Sequence, residues 1–297
     1  MDKKILGHSF ALVTGIIWGV TFISTKILLI PFKPIEVLFL RFVIGFFALL
    51  ILRPKKLGFT GFKRELLFAS AGLTGVTFYF LCENIALTYT QASNVGVIVS
   101  IAPLFTVVLS RFFMKEERLS PAFITGLVAA MTGVCLISIN GARLSLNPKG
   151  DLLAVGAAIV WSFYSLLSKK ISNYGYHTIL STRRIFLYGV IFMVPFLPLF
   201  KFSPDIAQLK NPLYLFNLLF LGLLASAICY VTWNYAIKIL GPVKTSVYIY
   251  IVPLVSVITS VLILGEQVTL LSIAGTVLTL IGLLISEQPF KKIAKNN

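Results

Sequence analysis

Apolar runs of about twenty residues follow one another from end to end of this chain, separated by short polar connections. A helix rising 1.5 Å per residue needs roughly that length to cross about 30 Å of hydrocarbon, where each backbone polar group must be satisfied within the protein. Ten runs of this kind are expected, at 7–30, 35–52, 65–89, 92–113, 121–140, 150–172, 178–200, 212–239, 243–264 and 269–287. The first, in "MDKKILGHSFALVTGIIWG", mimics a secretory leader, but it is helix-length and no small-residue cleavage site stands out, so it is expected to be a span. The connections are too short for a soluble domain. The predicted fold class is therefore an all-α integral membrane protein with ten transmembrane helices.

Charge sets the orientation. Only 12% of the residues are charged, against about 25% in a soluble domain. The net charge of +16 is divided into clusters between apolar runs, a pattern that fits loops beside anionic lipid and not a nucleic-acid surface. Nineteen of the 26 basic residues fall on the N-terminal side of the predicted spans or at helix ends there, and five on the other side. Positive loops stay in the cytoplasm, so both termini are expected to be cytoplasmic and the protein to be multi-pass in the cell (inner) membrane.

The chain also contains itself twice. Residues 7–27 line up with 150–170, so that Trp18 meets Trp161 and Lys26 meets Lys169 at an offset of 143. Arg41 meets Arg184 at the same offset. Glu83 faces Trp233, Asn84 faces Asn234, Pro103 faces Pro253 and Glu116 faces Glu266 at an offset of 150. Gly126 and Gly133 face Gly275 and Gly282 after one further shift. Two five-span repeats are expected, 1–144 and 145–290, with a basic tail at 291–297. Five is odd, so the second copy would enter the bilayer from the opposite face. Inverted repeats around a midplane site are a device of transporters.

Intramembrane polar groups mark candidate functional positions, because an ionised side chain there costs at least about 2.5 kcal/mol on insertion scales. Glu83 is expected roughly 9 Å below the outer face, Arg41 at a similar depth and Lys26 at roughly 6 Å, from the rise per residue. The three would form an outer charge cluster: a structural pairing with snorkelling bases, or an outer gate or polar substrate site, with proton uptake by Glu83 as a separate expectation. The repeat mates Lys169, Arg184 and Trp233 lack an acid, so the cytoplasmic side is expected to be unbalanced. Asn84 and Asn234 are either helix–helix hydrogen-bonding groups or ligand contacts. Tyr79, Tyr230, Trp233, Trp161, Tyr164 and Tyr248 either pack the core or offer rings to an apolar or cationic substrate. Pro103 and Pro253 each remove a backbone hydrogen bond near mid-span and are candidate hinges. Glu116 and Glu266 read as helix-start residues, and His8 and His177 as unpaired surface residues. The small-residue runs "ITGLVAAMTG" and "IAGTVLTLIG" permit close packing, within the bundle or in a homodimer. Cys82, Cys135 and Cys229 have no metal-binding spacing, and no nucleophile or phosphate-loop motif is present. No metal, cofactor or nucleic-acid partner is expected, only a small-molecule substrate and membrane lipid.

"ENIALTYTQASNVGVIVSIAPLFTVVLSRFFMKEERLS" resembles the hallmark of EamA-type domains in the drug/metabolite transporter superfamily. The likeness lies in its Ala-Leu-x-Tyr-x-x-Ala run, mid-helix proline and following Glu. "WNYAIKILGPVKTSVYIYIVPLVSVITSVLILGEQ" repeats the pattern with Ala236, Pro253 and Gly265-Glu266, and "LRF" at 40–42 is similar to the second-helix motif. The resemblance implies ten helices as two inverted repeats, a central cavity and export of small metabolites such as amino acids. It does not account for Glu83. The resulting expectation is a secondary transporter working by alternating access, with a membrane sensor or a lipid-head-group enzyme as alternatives.

Overall fold

The computed structural model describes residues 2–89, 92–114, 120–139, 147–264 and 270–286, all helices and connections with no strand among them. Glu116, Glu266 and the basic tail lie outside these residues. Helix α1 is Lys3–Leu28, started by the Asp2 carboxylate, which accepts from the Lys4 N–H at 3.0 Å. Helix α2, Pro34–Leu52, opens with proline in its first turn and Glu36 accepting from the Lys33 N–H at 2.8 Å. Helix α3, Phe62–Tyr89, runs through a π-helical stretch at Leu73–Phe78. Helix α4 is broken into Ala92–Val99 and Ala102–Met114, and α5 is Pro121–Ile139.

Helix α6, Pro148–Ser172, starts on the Asn147 side chain. Helix α7, Thr178–Met193, starts on His177, whose Nδ1 accepts from the Ile179 N–H, so His177 is a cap. A short helix at Phe196–Leu199 and a 3-10 turn at Ile206–Lys210 lead to α8, Pro212–Leu240, with a second π stretch at Phe220–Ile228. It ends on Gly241, whose φ of 88° is in the left-handed region that glycine tolerates. Helix α9 is interrupted: Pro242–Ser246, a 3-10 turn at Val247–Tyr250, then Ile251–Leu264. Helix α10 is Leu270–Ser286. Five helices, α1, α2, α3, α6 and α8, are long and apolar enough to cross a bilayer. Large apolar side chains such as Phe112, Leu262 and Leu284 point outward, the reverse of a soluble surface.

The main helix contacts join one half of the chain to the other, and they come in pairs. Helix α1 packs on α8 and α9; its mate α6 packs on α3 and α4. Helix α2 packs on α8 and α7, and α3 on α7. The tight approaches repeat too. A Cβ on Gly72 of α3 would meet the Ile185 carbonyl oxygen of α7 at 2.6 Å. A Cβ on Gly222 of α8, 150 residues on, would meet the Arg41 carbonyl oxygen of α2 at 3.2 Å. Helices α5 and α10 run antiparallel: Gly126 lies on Gly282 and Ser286, and Gly133 on Gly275 and Thr279. The small-residue faces are thus spent on each other, inside the chain.

Candidate functional site

The three tryptophans, Trp18, Trp161 and Trp233, meet at the centre. The mates Trp18 and Trp161 lie edge to face with ring centroids 5.2 Å apart, and Trp233 is 4.9 Å from Trp18. Trp18 is fixed by donating to the Ala225 carbonyl in the π stretch of α8, at 3.0 Å. Tyr230 packs beside them and donates to the Gly75 carbonyl in the π stretch of α3. A stretch of π-helix carries an unusually placed carbonyl row, and each of these two rings uses one.

Beside the tryptophans is a cavity with about 450 Å³ of empty space, its open mouth included. Its interior is narrow, with room for about two waters. Its walls come from α1 (Trp18, Thr21), α3 (Tyr79, Phe80) and α6 (Trp161), and from the broken helices α4 and α9 through Val99, Ile249 and Val252. The polar groups are Thr21, Arg41 and Glu83.

Arg41 is wholly buried. Its Nε donates to Ser226 Oγ at 3.0 Å and its guanidinium lies 4.3 Å from the Phe80 ring centroid. Its two terminal nitrogens have no hydrogen-bond partner. Glu83, 2% exposed, is not within ion-pair distance of Arg41; its carboxylate faces the Tyr79 hydroxyl one turn earlier, with Arg41 as the neighbouring charge. An acid and a base share one cavity without closing on each other.

The other sequence candidates lie around this centre. Lys26 is outside the cavity and donates to the Leu87 carbonyl at 3.0 Å, near the end of α3. Its mate Lys169 does the same for Lys238, near the end of α8. Both serve helix C-termini, where carbonyls lack intrahelical partners. Lys26 therefore does not line the cavity with Arg41 and Glu83. Asn84 donates to the Pro34 carbonyl at 3.2 Å, and Asn234 donates to Thr182 at 3.0 Å while accepting from Tyr164 at 2.7 Å, so both tie the third helix of a repeat to the second. The hydroxyl of Tyr248 is 2.8 Å from His8 Nδ1, so His8 is paired, contrary to the expectation from sequence. Pro103 and Pro253 are buried next to the breaks of α4 and α9.

The expected lack of an acid on the N-terminal side is wrong. Glu65, in the first turn of α3, holds Arg184 at 3.1 Å and accepts from the Tyr188 hydroxyl at 2.7 Å. The Arg184 guanidinium also donates to the carbonyls of Leu57 and Gly58, which docks the α2–α3 connection on α7. Across the molecule, Glu36 accepts from the Ser203 N–H at 2.9 Å and docks the α7–α8 connection on α2. Among the described residues no cluster of His, Cys, Asp or Glu has metal-site geometry.

The EamA-like transporter family model matches residues 5–139 and 148–287. The chain is 27% identical to an uncharacterized transporter of Archaeoglobus fulgidus, over 94% of this chain and 96% of that one. It is 28% identical to a "probable terminal-alkyne amino-acid exporter" of Streptantibioticus cattleyicolor, over 73% of this chain and 71% of that one. A crystal structure with 20% sequence identity superposes with a TM-score of 0.72, covering 97% of this chain and 98% of that one, which shows the shared fold. This multi-pass, all-helical chain belongs to the EamA-like transporter family.

Proposed function

We propose that the protein is a ten-span secondary transporter that exports a small amino-acid-like metabolite by alternating access. Its repeats, 1–144 and 145–290, are inverted about the membrane midplane, and both termini face the cytoplasm. The observation that carries the reading is the cavity beside the Trp18–Trp161 contact, where the two copies of the repeat meet. The paired helix contacts and the antiparallel α5 and α10 support the inversion. The name of the relative described above as an amino-acid exporter supports the substrate class. With room for about two waters, the cavity as it stands is too narrow for a metabolite, which enters only when the walls move. The substrate-contacting residues are Glu83, Arg41, Tyr79 and Trp161, with Tyr230, Trp233 and the Tyr164–Asn234 pair as the supporting wall.

The test is counterflow in proteoliposomes preloaded with amino acids, with labelled L-leucine outside. Saturable uptake that depends on the preload supports transport. Its absence while binding persists would convert the reading to a binding-only membrane protein. For the topology, single cysteines at 56 and 203 should react with an impermeant maleimide from opposite faces. Labelling of both from one face would overturn the inversion.

A further inference from the structure

The chemistry of the cavity narrows the substrate beyond its size. Arg41 and Glu83 line one space, and the two terminal nitrogens of Arg41 are fully buried and without acceptors. A buried donor without a partner carries a desolvation cost, and a buried charge without a counterion carries more. An anionic ligand would satisfy Arg41 and leave Glu83 facing a second negative charge. A cationic ligand would do the reverse. Apart from Thr21, the remaining wall is aromatic and aliphatic and includes Trp18, Trp161 and Phe80.

We propose that the cavity binds the zwitterionic head of an α-amino acid between α2 and α3, its carboxylate on the two free Arg41 nitrogens and its ammonium on Glu83, with an apolar side chain against Trp18 and Trp161. This rests on the transport reading for its biological sense, but it concerns binding, which is measured separately from flux. The guanidinium fork fits a carboxylate with two parallel hydrogen bonds. Ser226 holds Arg41 by its Nε, leaving the far side of the fork for the ligand. The two ends are read by adjacent helices of one repeat. The mate of Arg41, Arg184, already has its carboxylate in Glu65, so the second repeat has no equivalent vacancy for an acid.

The experiment uses the purified full-length protein in detergent and its tryptophan fluorescence, since all three tryptophans sit at or beside the cavity. The probes are L-leucine, L-leucinamide, which lacks the carboxylate, and 4-methylpentanoate, which lacks the ammonium. L-leucine should perturb the fluorescence saturably, and each truncated analogue should bind at least tenfold more weakly. Arg41→Lys, which keeps the charge and loses the fork, should weaken leucine at least tenfold and leucinamide by less. Glu83→Gln should bring leucine and 4-methylpentanoate to equal affinity. Circular dichroism and a cooperative thermal transition establish that each variant is folded. Equal affinity of folded wild-type protein for all three probes, no leucine binding, or unchanged leucine preference in Arg41→Lys and Glu83→Gln would overturn the proposal, leaving Arg41 and Glu83 as a water-filled structural pair. Leucine binding with the expected preferences but no counterflow would sink the transport reading and leave this site standing.

Discussion

Glu65 shows what a single residue does at the N-terminal side of the molecule. It collects Arg184, the Tyr188 hydroxyl and both the N–H and hydroxyl of Thr60. With Glu65 buried and Arg184 largely so, losing either partner strands the other, a loss of about 3 kcal/mol. Glu65→Gln and Arg184→Met should each lower the unfolding midpoint by several degrees, and the double variant should be less destabilised than the two losses added together. Additivity would mean that the two groups do not interact. Lys169→Met should be milder, about 0.3–1 kcal/mol, because it removes a favourable charge at a helix C-terminus. The contrast marks what the sequence made legible. Arg184 was visible as the mate of Arg41, and Glu83 as an acid in an apolar run. Glu65 was not, because it sits among the bases of a predicted cytoplasmic helix end and reaches an arginine 119 residues away only once α3 and α7 are packed. His8 was misread for the same reason: its partner Tyr248 is 240 residues on.

At the scale of elements, the positions of the helices followed from apolar runs, and the breaks in α4 and α9 sit at matching prolines. The π stretches at Leu73–Phe78 and Phe220–Ile228 had no local signal, since no residue type demands the extra residue per turn. They end at mated positions, 78 and 228. Each offers a carbonyl to a ring of the central cluster, Gly75 to Tyr230 and Ala225 to Trp18. Close packing around glycine separates two kinds of position. In α5, a Cβ on Gly133 would lie 2.5 Å from the Gly275 carbonyl oxygen, backbone that has no rotamer with which to yield. Gly133→Ala should therefore cost about 1–3 kcal/mol through overpacking. Gly156 in α6 has nothing within 4 Å of its Cβ position, and Gly156→Ala should stabilise by about 0.5–1 kcal/mol through helix propensity. Thermal unfolding of the two variants should move in opposite directions. A similar shift for both would mean that α5 and α10 are not in close contact.

For the molecule as a whole, the repeat seen in the sequence does not correspond to two separate bodies. Helix α1 is packed by α8 and α9, and α6 by α3 and α4, so each half is built into the other. Motion of one complete repeat against the other would break nearly every large interface at once. Alternating access with these contacts needs moving units drawn from both halves. Helices α5 and α10 are the exception: they pack chiefly on each other, and none of their described residues lines the cavity. Helix α1 lines the cavity through Trp18 and Thr21 and touches α8 where the hydroxyls of Thr14 and Thr232 lie 2.7 Å apart. Two cross-links should then behave differently. A short thiol cross-linker between Ala130→Cys and Thr279→Cys, positions joined by the Thr279 hydroxyl and Ala130 carbonyl at 3.5 Å, should leave counterflow within about twofold of the uncross-linked variant. The same reagent between Thr14→Cys and Thr232→Cys should reduce counterflow at least tenfold, and reductive cleavage of the linker should restore it. Full activity with the α1–α8 link closed would place the moving boundary elsewhere in the bundle. Arrest by the α5–α10 link would show that this pair takes part in the cycle, so that the helices lining the cavity do not move alone.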